Sequence, residues 1–261
     1  MNGKEIDILI PELNLGIEYN GVYWHSEQAH KNPKHHKIQK TKLCADAGIR
    51  LIHIEEYENT TVVKKTLAHI LGIDEERYYA RCCEVSISDC RSAEVIDFLN
   101  NNHLQGPAMS GEAYCLRINE VIVSVMVLGN VTSERGHSGK ERVELKRFSS
   151  VGRVVGGASK LLKAFCRNTP ECETIISYSD NRWFTGDMYN KLGFSLVSEI
   201  GPDYKYVKGK SILPKHKFKR SELKRRSDIE FKEEESEIQN AHRNGWYRFW
   251  DCGKKKWELN L

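Results

Sequence analysis

The stretch EIDILIPELNLGIEYNG, residues 5–21, decides the fold expected for the amino-terminal part of the chain. Two runs with alternating apolar residues flank the turn-forming residues Pro11–Asn14, and this pattern is typical of a β-hairpin. A four-residue loop at this position places Asp7 directly opposite Glu18 on the paired strands. The sequence therefore predicts two carboxylates side by side.

Alternation assigns the hairpin side chains to two faces. The apolar face carries Ile6, Ile8, Ile10, Leu15, Ile17 and Tyr19, and the polar face carries Glu5, Asp7, Glu18 and Asn20. Directly opposed side chains have Cβ atoms about 4.5 to 5.5 Å apart, a separation at which like charges repel each other. A divalent cation such as Mg²⁺ would offset this repulsion, hold a scissile phosphate and activate a water molecule. The alternative, which the hairpin alone favours, is a solvent-facing polar side on which facing acids are tolerated.

The composition is typical of a soluble globular protein. Of the 261 residues, 39% are hydrophobic and 29% are charged, and no apolar run approaches the ~20 residues that a membrane span needs. The first residues are polar and acidic where a signal peptide would be positively charged. We therefore expect a cytoplasmic protein that does not contact a membrane. The eight cysteines show no metal-ligand spacing and are expected to be free, buried thiols.

Hydrophobic periodicity predicts an α/β (α+β) fold in three parts. A helix from about 36 to 47, a strand at 49–57 and a helix at 61–71 complete an amino-terminal domain over 1–80. Strands are expected next at 83–89, 113–118 and 121–129, with a helix at 92–104, a loop at 130–140 and a further series of strands and helices to about 194. This second domain is a mixed α/β layer over 81–210, and a basic and aromatic tail follows over 211–261.

The residues after the hairpin, GVYWHSE (21–27), add a candidate proton carrier. The imidazole of His25 can relay a proton or protonate a leaving oxygen near physiological pH. With this motif, the segments IDILIP, GIEYNGVYWH and GIRLIHIEEYE resemble, over about residues 3–72, the catalytic core of very-short-patch-repair endonucleases and related phage homing endonucleases of the PD-(D/E)xK type. This resemblance implies that His25 takes part in hydrolysis.

The same resemblance implies roles for the polar residues of the hairpin. Asp7 would bind the metal, and Glu18 would match the second acid of the family. Asn20 lies where the family usually has a lysine, unless Lys40 or Lys42 from the following helix replaces it. The implied activity is Mg²⁺-dependent cleavage of DNA, with a catalytically inactive DNA-binding protein as the alternative.

A second candidate site lies in VELKRFSSVGRVVGGASKLLKAF, residues 143–165, which is a strand, a basic loop and a helix. The helix opens with Gly156, Gly157 and Ala158. Free backbone N–H groups and the positive end of the helix dipole can bind a pyrophosphate there, and glycine permits close approach. Tight packing of a glycine pair is the plainer alternative.

The pattern Arg153-x-x-Gly156-x-Ala158, followed by a strand and then YNKLGF (189–194), resembles the acyl-CoA-binding motifs of GNAT acyltransferases. It is more similar to the Mom-type DNA modification proteins, an atypical GNAT-like family that modifies adenine in phage DNA. The resemblance covers about residues 83–207 and implies acetyl-CoA or another acyl-CoA as cofactor, bound at Arg153, Gly156, Gly157 and Ala158.

The Mom-like pattern also implies functional groups at His103, Arg147, Asp180 and Tyr189. His103 or Asp180 could accept a proton from an attacking amine, Arg147 could hold an anionic group, and Tyr189 could donate to a leaving thiolate or a carbonyl oxygen. Each residue also has an ordinary structural interpretation. His103 could cap a helix and Arg147 could lie on the solvent-facing side of a strand. Asp180 could lie in a turn at the end of a strand, and Tyr189 could lie in the core.

Residues 205–226 contain ten Lys and Arg residues against the single acid Glu222, in a protein whose net charge is only +4. Such a cluster is typical of a surface that contacts phosphates. The predicted nucleic-acid-binding residues are Lys215, Lys217, Lys219, Arg220, Lys224, Arg225 and Arg226. A solvated basic tail paired with the acidic segment FKEEESE (231–237) is the alternative.

Four tryptophans in the second half of the chain have two interpretations. Trp183 could stack on an exposed base or lie in the core. For Trp246, Trp250 and Trp257, packing of a small strand pair against the domain is favoured over stacking on bases.

Together these patterns predict a DNA-acting protein of a phage or mobile element. The main hypothesis is a metal-dependent DNA endonuclease of the homing type, with a GNAT-like domain that reads DNA. The alternatives are an acyl-CoA-dependent transferase that modifies a nucleobase and a non-catalytic DNA-binding protein. DNA is the expected partner in all three cases.

Overall fold

A computed structural model describes residues 5–29, 33–73, 76–131 and 141–261. The chain forms two compact units. The first unit comprises Met1–Tyr57, Asp180–Phe184 and Glu199–Lys254, and the second comprises Glu58–Ser179, Thr185–Ser198 and Lys255–Leu261. These units differ from the predicted division at 80 and 210, because each takes up segments that are distant in sequence.

The strands are β1 (Ile8–Ile10), β2 (Leu15–Asn20), β3 (Arg50–Glu55), β4 (Arg77–Tyr79), β5 (Glu84–Asp89), β6 (Glu112–Ile118), β7 (Val121–Asn130), β8 (Arg142–Ser150), β9 (Arg153–Val155), β10 (Thr174–Asp180), β11 (Ser195–Ile200), β12 (Tyr204–Lys208), β13 (Ser211–Pro214), β14 (Tyr247–Trp250) and β15 (Lys254–Asn260). The helices are α1 (Val22–His25), α2 (Pro33–Asp46), α3 (Thr60–Leu71), α4 (Ala93–Asn102), α5 (Gly157–Asn168), α6 (Asp187–Lys191), α7 (Arg220–Leu223) and α8 (Glu237–Arg243), with short 3₁₀ turns at Pro11–Leu13, Ala80–Cys82 and Lys215–Phe218. Most of the loop predicted at 130–140 lies outside the described residues.

The hairpin of the first unit has the predicted register. β1 and β2 are antiparallel, with Ile8 opposite Ile17 and Ile10 opposite Leu15. β3 continues this sheet parallel to β2, so that Glu18 is paired with His53. The α2 helix connects β2 to β3, which completes the expected order of hairpin, helix and strand.

The two faces of the hairpin are not divided as predicted. Glu18 on the polar face is only 4% exposed and Asn20 is also buried, whereas Ile8 on the apolar face is 56% exposed. The reason is that α2 covers the polar face, since Lys40 of this helix reaches Glu18 and Thr41 reaches His53 of the neighbouring strand. The prediction of a solvent-facing polar side was therefore wrong for β2.

The basic and aromatic segment 211–261 contains folded strands and helices. β13, β12 and β14 form an antiparallel sheet in the first unit. A small core contains Tyr206, Phe218 and Trp246. The α7 helix contributes Leu223 to this core, and the α8 helix contributes Ala241. Alternating aromatic and basic residues therefore bury their rings and leave the charges outside.

The second unit is a mixed α/β layer built on a seven-stranded sheet with the order β11-β15-β10-β8-β7-β6-β5. The strands β5 to β8 are antiparallel neighbours, and β8 and β10 are parallel. Alternate residues of β6 enter two cores. Tyr114 lies in the core with Leu161 of α5, and Cys115 lies in the core with Leu99 of α4. The two helices thus cover opposite faces of the sheet.

β15 lies in this sheet between β10 and β11, although the segment that precedes it belongs to the first unit. The predicted pairing of β14 with β15 is therefore wrong, because the two strands belong to different sheets. Trp246, Trp250 and Trp257 are buried, as the packing interpretation predicts. All eight cysteines are free thiols, and six of them are buried, whereas Cys82 is exposed and Cys166 is half-buried. Within the described ranges, every helix is too short or too polar to cross a membrane.

Candidate functional sites

The two hairpin acids lie next to each other in the first unit. The backbone N–H of Asp7 donates to Oε1 of Glu18 at 3.2 Å. The backbone N–H of Tyr19 donates to Oδ2 of Asp7 at 2.8 Å. The ammonium group of Lys40 lies 2.5 Å from Oε2 of Glu18. This lysine of α2 thus reaches the carboxylate of Glu18.

These contacts answer why two carboxylates can face each other. The positive charge of Lys40 and the two amide groups offset the repulsion, so a metal ion is not required for it. Among the residues that the structure describes, no group of three or more His, Cys, Asp or Glu side chains is arranged to hold a metal ion. The Mg²⁺ predicted at Asp7 and Glu18 therefore has no support from the described residues.

Behind Glu18, a buried histidine fixes α2 against the sheet. The side-chain amide of Asn20 lies 3.3 Å from Nδ1 of His53, and Nε2 lies 2.8 Å from Oγ1 of Thr41. Thr41 in turn donates to the carbonyl of Lys37 at 2.9 Å. Burial, followed by the charges of Lys37 and Arg182, lowers the pKa of His53 well below its usual value. The ring is therefore neutral, accepts from Asn20 and donates to Thr41.

A buried ion-pair network lies on the same helix of the first unit. The ammonium of Lys37 contacts both oxygens of Glu55 at 2.9 Å, and Nη1 of Arg182 lies 3.4 Å from Glu55. Arg182 also binds both oxygens of Asp180 through its Nε and Nη2 atoms. Burial lowers the pKa of Lys37, and the charge of Glu55 opposes this shift. The carboxylate of Asp180, the predicted proton acceptor, is thus held by a guanidinium.

His25 ends α1 and is half-buried. The centroid of its ring lies 5.8 Å from the centroid of the His36 ring. The preceding Tyr23 and Trp24 form an edge-to-face pair, and the Trp24 side chain is 70% exposed. The sequence motif GVYWH therefore places one imidazole beside an exposed aromatic pair.

In the second unit, the central parallel strands separate part-way along their length. The ladder between β8 and β10 runs from Arg142 opposite Thr174 to Leu145 opposite Ser177. At that level β8 has a bulge. The consecutive residues Val127 and Leu128 of β7 pair with Arg147 and Leu145 of β8, so Lys146 is one extra residue in β8. A bulge bends its strand and raises the local twist. β8 therefore turns away from β10 at the carboxyl end of both strands, where ligands bind in open α/β sheets.

Tyr189 of α6 lies where these strands separate. Its hydroxyl is 2.8 Å from Oγ of Ser177, which is the last residue of β10 that pairs with β8. Ser177 donates to the carbonyl of Leu145 at 2.8 Å, so the tyrosine is the donor to Ser177. The Tyr189 ring stacks on Trp257 with 5.3 Å between centroids. Burial raises the pKa of Tyr189, which therefore keeps its proton at neutral pH.

His103 and Arg147 are brought together at the same end of β8. Nε of Arg147 donates to the carbonyl of Gly106 at 2.9 Å, and the N–H of Gly106 donates to the carbonyl of His103 at 2.9 Å. Nδ1 of His103 accepts from the N–H of Gln105 at 3.1 Å. Burial, with a contribution from Arg147, lowers the pKa of His103 to about 3. The neutral ring therefore presents Nε2–H, which is a donor.

The glycine pair forms the amino-terminal end of α5. Gly156 precedes the helix with φ 76°, a left-handed conformation that favours glycine. A Cβ on Gly157 would lie 3.0 Å from Cγ1 of Val154, so tight packing favours glycine there. The first intrahelical hydrogen bond is from Lys160 to Gly156. The N–H groups of residues 157–159 precede it and lie at the positive end of the helix dipole.

Most of the predicted nucleic-acid-binding residues form ion pairs with acidic residues of the first unit. Lys215 contacts Asp203 at 2.8 Å, Arg220 and Lys224 contact Glu233 at 2.8 and 2.6 Å, and Arg226 contacts Asp228 at 2.6 Å. Arg225 lies 3.6 Å from Glu222, and Lys217 and Lys219 are exposed. Glu233 belongs to the acidic segment after the basic cluster, which agrees with the alternative of an acidic complement. Trp183 is 1% exposed and does not offer a surface for a base.

Sequence reasoning missed His53, Lys37, Glu55 and Arg182. The signal that could have found them is the period-2 alternation of RLIHIE (50–55), which places His53 and Glu55 on the same face of a strand otherwise suited to burial. A buried acid and histidine require partners. Their partners come from a helix and from a loop more than a hundred residues away, which no local pattern indicates.

The chain matches no known protein family and no curated protein. Solved structures with some likeness include an acetyltransferase from Bacillus subtilis in complex with CoA (14% identity, 69% of this chain and 99% of that chain, TM-score 0.35). Another is the ribosomal-protein-S18-alanine N-acetyltransferase from Escherichia coli (9% identity, 68% and 94%, TM-score 0.37). A GNAT-family acetyltransferase from Streptococcus pneumoniae is a third (11% identity, 68% and 100%, TM-score 0.35). TM-scores of this size decide neither the fold family nor the activity of this chain.

Proposed function

We propose that the second unit transfers an acyl group from an acyl-CoA to an amine, and that the acceptor is a nucleobase amine. The observation that carries this proposal is the separation of β8 from β10 at the Lys146 bulge, directly beyond Leu145 and Ser177. Parted strands expose backbone N–H and C=O groups, which can pair with the amide groups of an extended ligand arm. The nucleobase acceptor rests on the resemblance to Mom-type proteins.

The residues present fit an acyl-CoA in two further ways. The N–H groups that open α5 are arranged for a pyrophosphate. The Tyr189 hydroxyl lies at the point where the strands part. When bound, the thioester supplies an activated acyl carbon. The amine nitrogen would form a bond to that carbon and the carbon–sulfur bond would break. The amine proton would pass to solvent water, and the sulfur would leave as the thiol of CoA.

Two groups of the chain have roles in this step that follow from their hydrogen bonds. The Tyr189 O–H can turn from Ser177 to the leaving sulfur and protonate it, since its raised pKa keeps the proton available. The Nε2–H of His103 and the guanidinium of Arg147 are donors, so they suit negative charge on the acyl oxygen or on the acceptor. Asp180 is not assigned a role, because Arg182 holds its carboxylate.

Calorimetric titration of acetyl-CoA with a Ser159→Glu variant tests the cofactor site. Ser159 is in the first turn of α5, where a glutamate stabilises the helix by about 0.3–1 kcal/mol through the dipole. The same carboxylate would repel a pyrophosphate, so we expect weaker binding together with an unchanged or raised melting temperature. The uncharged Ser159→Gln variant is the matched control and should bind normally.

Mass spectrometry of DNA or nucleosides incubated with acetyl-CoA tests the transfer itself. We expect a mass increase of one acetyl group that is lost in Tyr189→Phe while acetyl-CoA still binds. A wild-type protein that does not bind acetyl-CoA, or binds it and modifies no amine, contradicts the proposal.

A second candidate function is hydrolysis of DNA at the hairpin of the first unit. The observation that favours it is the buried Glu18 beside Asp7, with Lys40 2.5 Å from the carboxylate. Plasmid nicking with and without Mg²⁺ tests this activity. Cleavage should disappear in Asp7→Asn and Glu18→Gln and persist in Glu12→Gln, which changes an exposed acid in the hairpin turn. Equal cleavage by all four proteins removes this candidate.

A further inference from the structure

The loop between α4 and β6 carries the most exposed large apolar side chain of the described residues. This α4–β6 loop spans residues 103–111 of the second unit. Met109 on the loop is 80% exposed. Its neighbour Ala108 is buried in the core that contains Leu99 of α4. The loop thus turns one side chain inward as an anchor and leaves the next one in solvent.

Two basic residues of β8 hold the α4–β6 loop. Nε of Arg147 donates to the carbonyl of Gly106 at 2.9 Å, and Nζ of Lys146 donates to Oγ of Ser110 at 2.8 Å. Lys146 is the extra residue of the bulge, and Arg147 follows it. Met109, which precedes Ser110, is therefore held beside the point where β8 leaves β10.

The end of the same loop packs directly on β7. Gly111 has φ 125°, and a Cβ there would lie 2.4 Å from the carbonyl oxygen of Leu128. A Cβ on Gly129 would lie 2.8 Å from Cα of Gly111. This close approach of two backbones requires glycine. The loop is thus fixed to both strands that form the bulge, so the exposed side chain at its tip has a rigid support.

The groups around Met109 are mainly hydrogen-bond donors. The ammonium of Lys146 has three N–H groups, and its contact with Ser110 uses one of them at an exposed position. The neutral ring of His103 presents Nε2–H, and Arg147 is a cation whose acidic neighbour is Glu144. An apolar side chain beside cationic donors suits a ligand that combines phosphates with stacked apolar rings.

The base pairs of a duplex combine these two properties. A base in a duplex is stacked and paired, so enzymes that act on it turn it out of the helix. Apolar side chains, methionine among them, can insert between base steps and unstack them. Such an insertion needs a side chain that projects from a rigid support, since ordering a loose loop would cost binding free energy. Met109 on the clamped loop meets this requirement.

We propose that Met109 inserts into the base stack of duplex DNA and fills the place of a base that has turned out toward the bulge. The amine of this base then lies at the acyl-transfer site, while Lys146 and Ser110 contact the phosphates beside the inserted side chain. This inference rests on the proposed transfer to a nucleobase amine, and it identifies duplex DNA as the form of the acceptor.

Acetyl transfer to a duplex oligonucleotide of mixed sequence, compared with its separated single strands, tests this proposal. A single strand offers its bases without extrusion, so the inserted side chain is needed only for the duplex. We expect Met109→Ala to lower the rate on the duplex about ten-fold, which corresponds to about 1.4 kcal/mol, and to leave the rate on the single strands unchanged. Mass spectrometry of the digested nucleosides measures both rates for the full chain with acetyl-CoA.

Two further variants are controls. Met109→Leu keeps a large apolar side chain that can insert between bases, so it should retain most of the rate on the duplex. Val121→Ala removes an apolar side chain that is 65% exposed at the other end of β7, and it should leave both rates unchanged. The ratio of the two rates separates insertion from a loss of structure, because misfolding lowers both.

Four results would overturn the proposal. A wild-type protein that modifies the single strands and never the duplex contradicts the insertion and leaves the transfer function standing. Equal losses on both substrates in Met109→Ala show that this residue supports the fold and not base extrusion. An unchanged rate on the duplex in the same variant removes its role. Absence of transfer to both substrates by wild-type protein removes the insertion and the transfer function together.

Discussion

Glu18 is a buried carboxylate with a partner on each oxygen, the N–H of Asp7 and the ammonium of Lys40. Removing one member of such a pair leaves an uncompensated charge away from water, which costs more than the pair itself contributes. Residues of this kind are therefore sensitive to single changes and tolerant of paired ones. Lys37, which is buried and paired with Glu55, is in the same situation.

Replacing Lys40 with methionine should destabilise the protein by about 2 kcal/mol or more, because Glu18 then stays buried beside Asp7 without its cation. Urea unfolding measures this change. The double variant Lys40→Met/Glu18→Gln should recover most of the loss, since it removes both charges. A double variant as unstable as the single one would show that packing, and not charge, is responsible.

The stability of the protein should fall as the pH is lowered through 6.5. Burial holds the pKa of His53 in the folded protein well below its usual value of about 6.5, so the unfolded chain binds a proton that the folded chain does not. The stabilisation is fully present above pH 6.5 and decreases by up to about 1.4 kcal/mol per pH unit below it. His103, with its pKa lowered to about 3, acts in the same direction.

Unfolding free energies at pH 7 and pH 5 test this dependence. His53→Gln and His103→Gln should each reduce the difference between the two pH values, and the double variant should reduce it further. An unchanged difference in His53→Gln would mean that this histidine is protonated in the folded protein.

At the scale of single elements, two features place the candidate sites. The α2 helix covers the polar face of the hairpin, and the bulge at Lys146 separates β8 from β10. Helix ends, in contrast, follow local rules. Asn59 caps α3 by accepting from the N–H groups of Thr61 and Val62, and Gly72 ends the same helix with φ 72°.

Replacing Asn59 with alanine should cost about 1 kcal/mol, because two N–H groups at the start of α3 lose their acceptor. Thermal or urea unfolding measures the loss. Asn59→Asp is the control, since aspartate keeps the acceptor oxygen and suits the helix dipole. If the two variants are equally stable, the cap contributes nothing in this protein.

At the scale of the whole molecule, the last segment of the chain completes the sheet of the second unit. β15 lies between β10 and β11, and Trp257 on this strand stacks on Tyr189 and donates to Ser179 at 2.9 Å. Gly186 has φ 100°, and a Cβ there would lie 2.1 Å from the Trp257 ring. The core beside the candidate acyl-transfer site therefore depends on residues at the end of the chain.

Trp257→Ala should destabilise the second unit by about 3–5 kcal/mol, the range for removing a large buried aromatic side chain. Chemical unfolding followed by circular dichroism measures this effect. Trp24→Ala is the matched control, because Trp24 is 70% exposed and its loss should change stability by less than about 0.5 kcal/mol. Similar effects of the two substitutions would contradict the central position of β15.

The sequence by itself determined the hairpin and its register, the helix and strand that follow it, the mixed α/β character of the second unit and the glycine start of α5. Each of these depends on alternation, helical periodicity or turn residues within a short stretch of chain. Asp7 and Glu18 were placed together for the same reason, because a hairpin loop sets which residues are opposite.

Only the tertiary structure decided that Glu18 is buried under Lys40, that Asp180 is held by Arg182, and that β15 lies within the large sheet. These arrangements join segments far apart in sequence, and burial of apolar surface, which has no direction along the chain, selects them. The partners of a buried charge are then whichever groups the packing brings close. A local pattern shows that a partner is needed and does not show which residue supplies it.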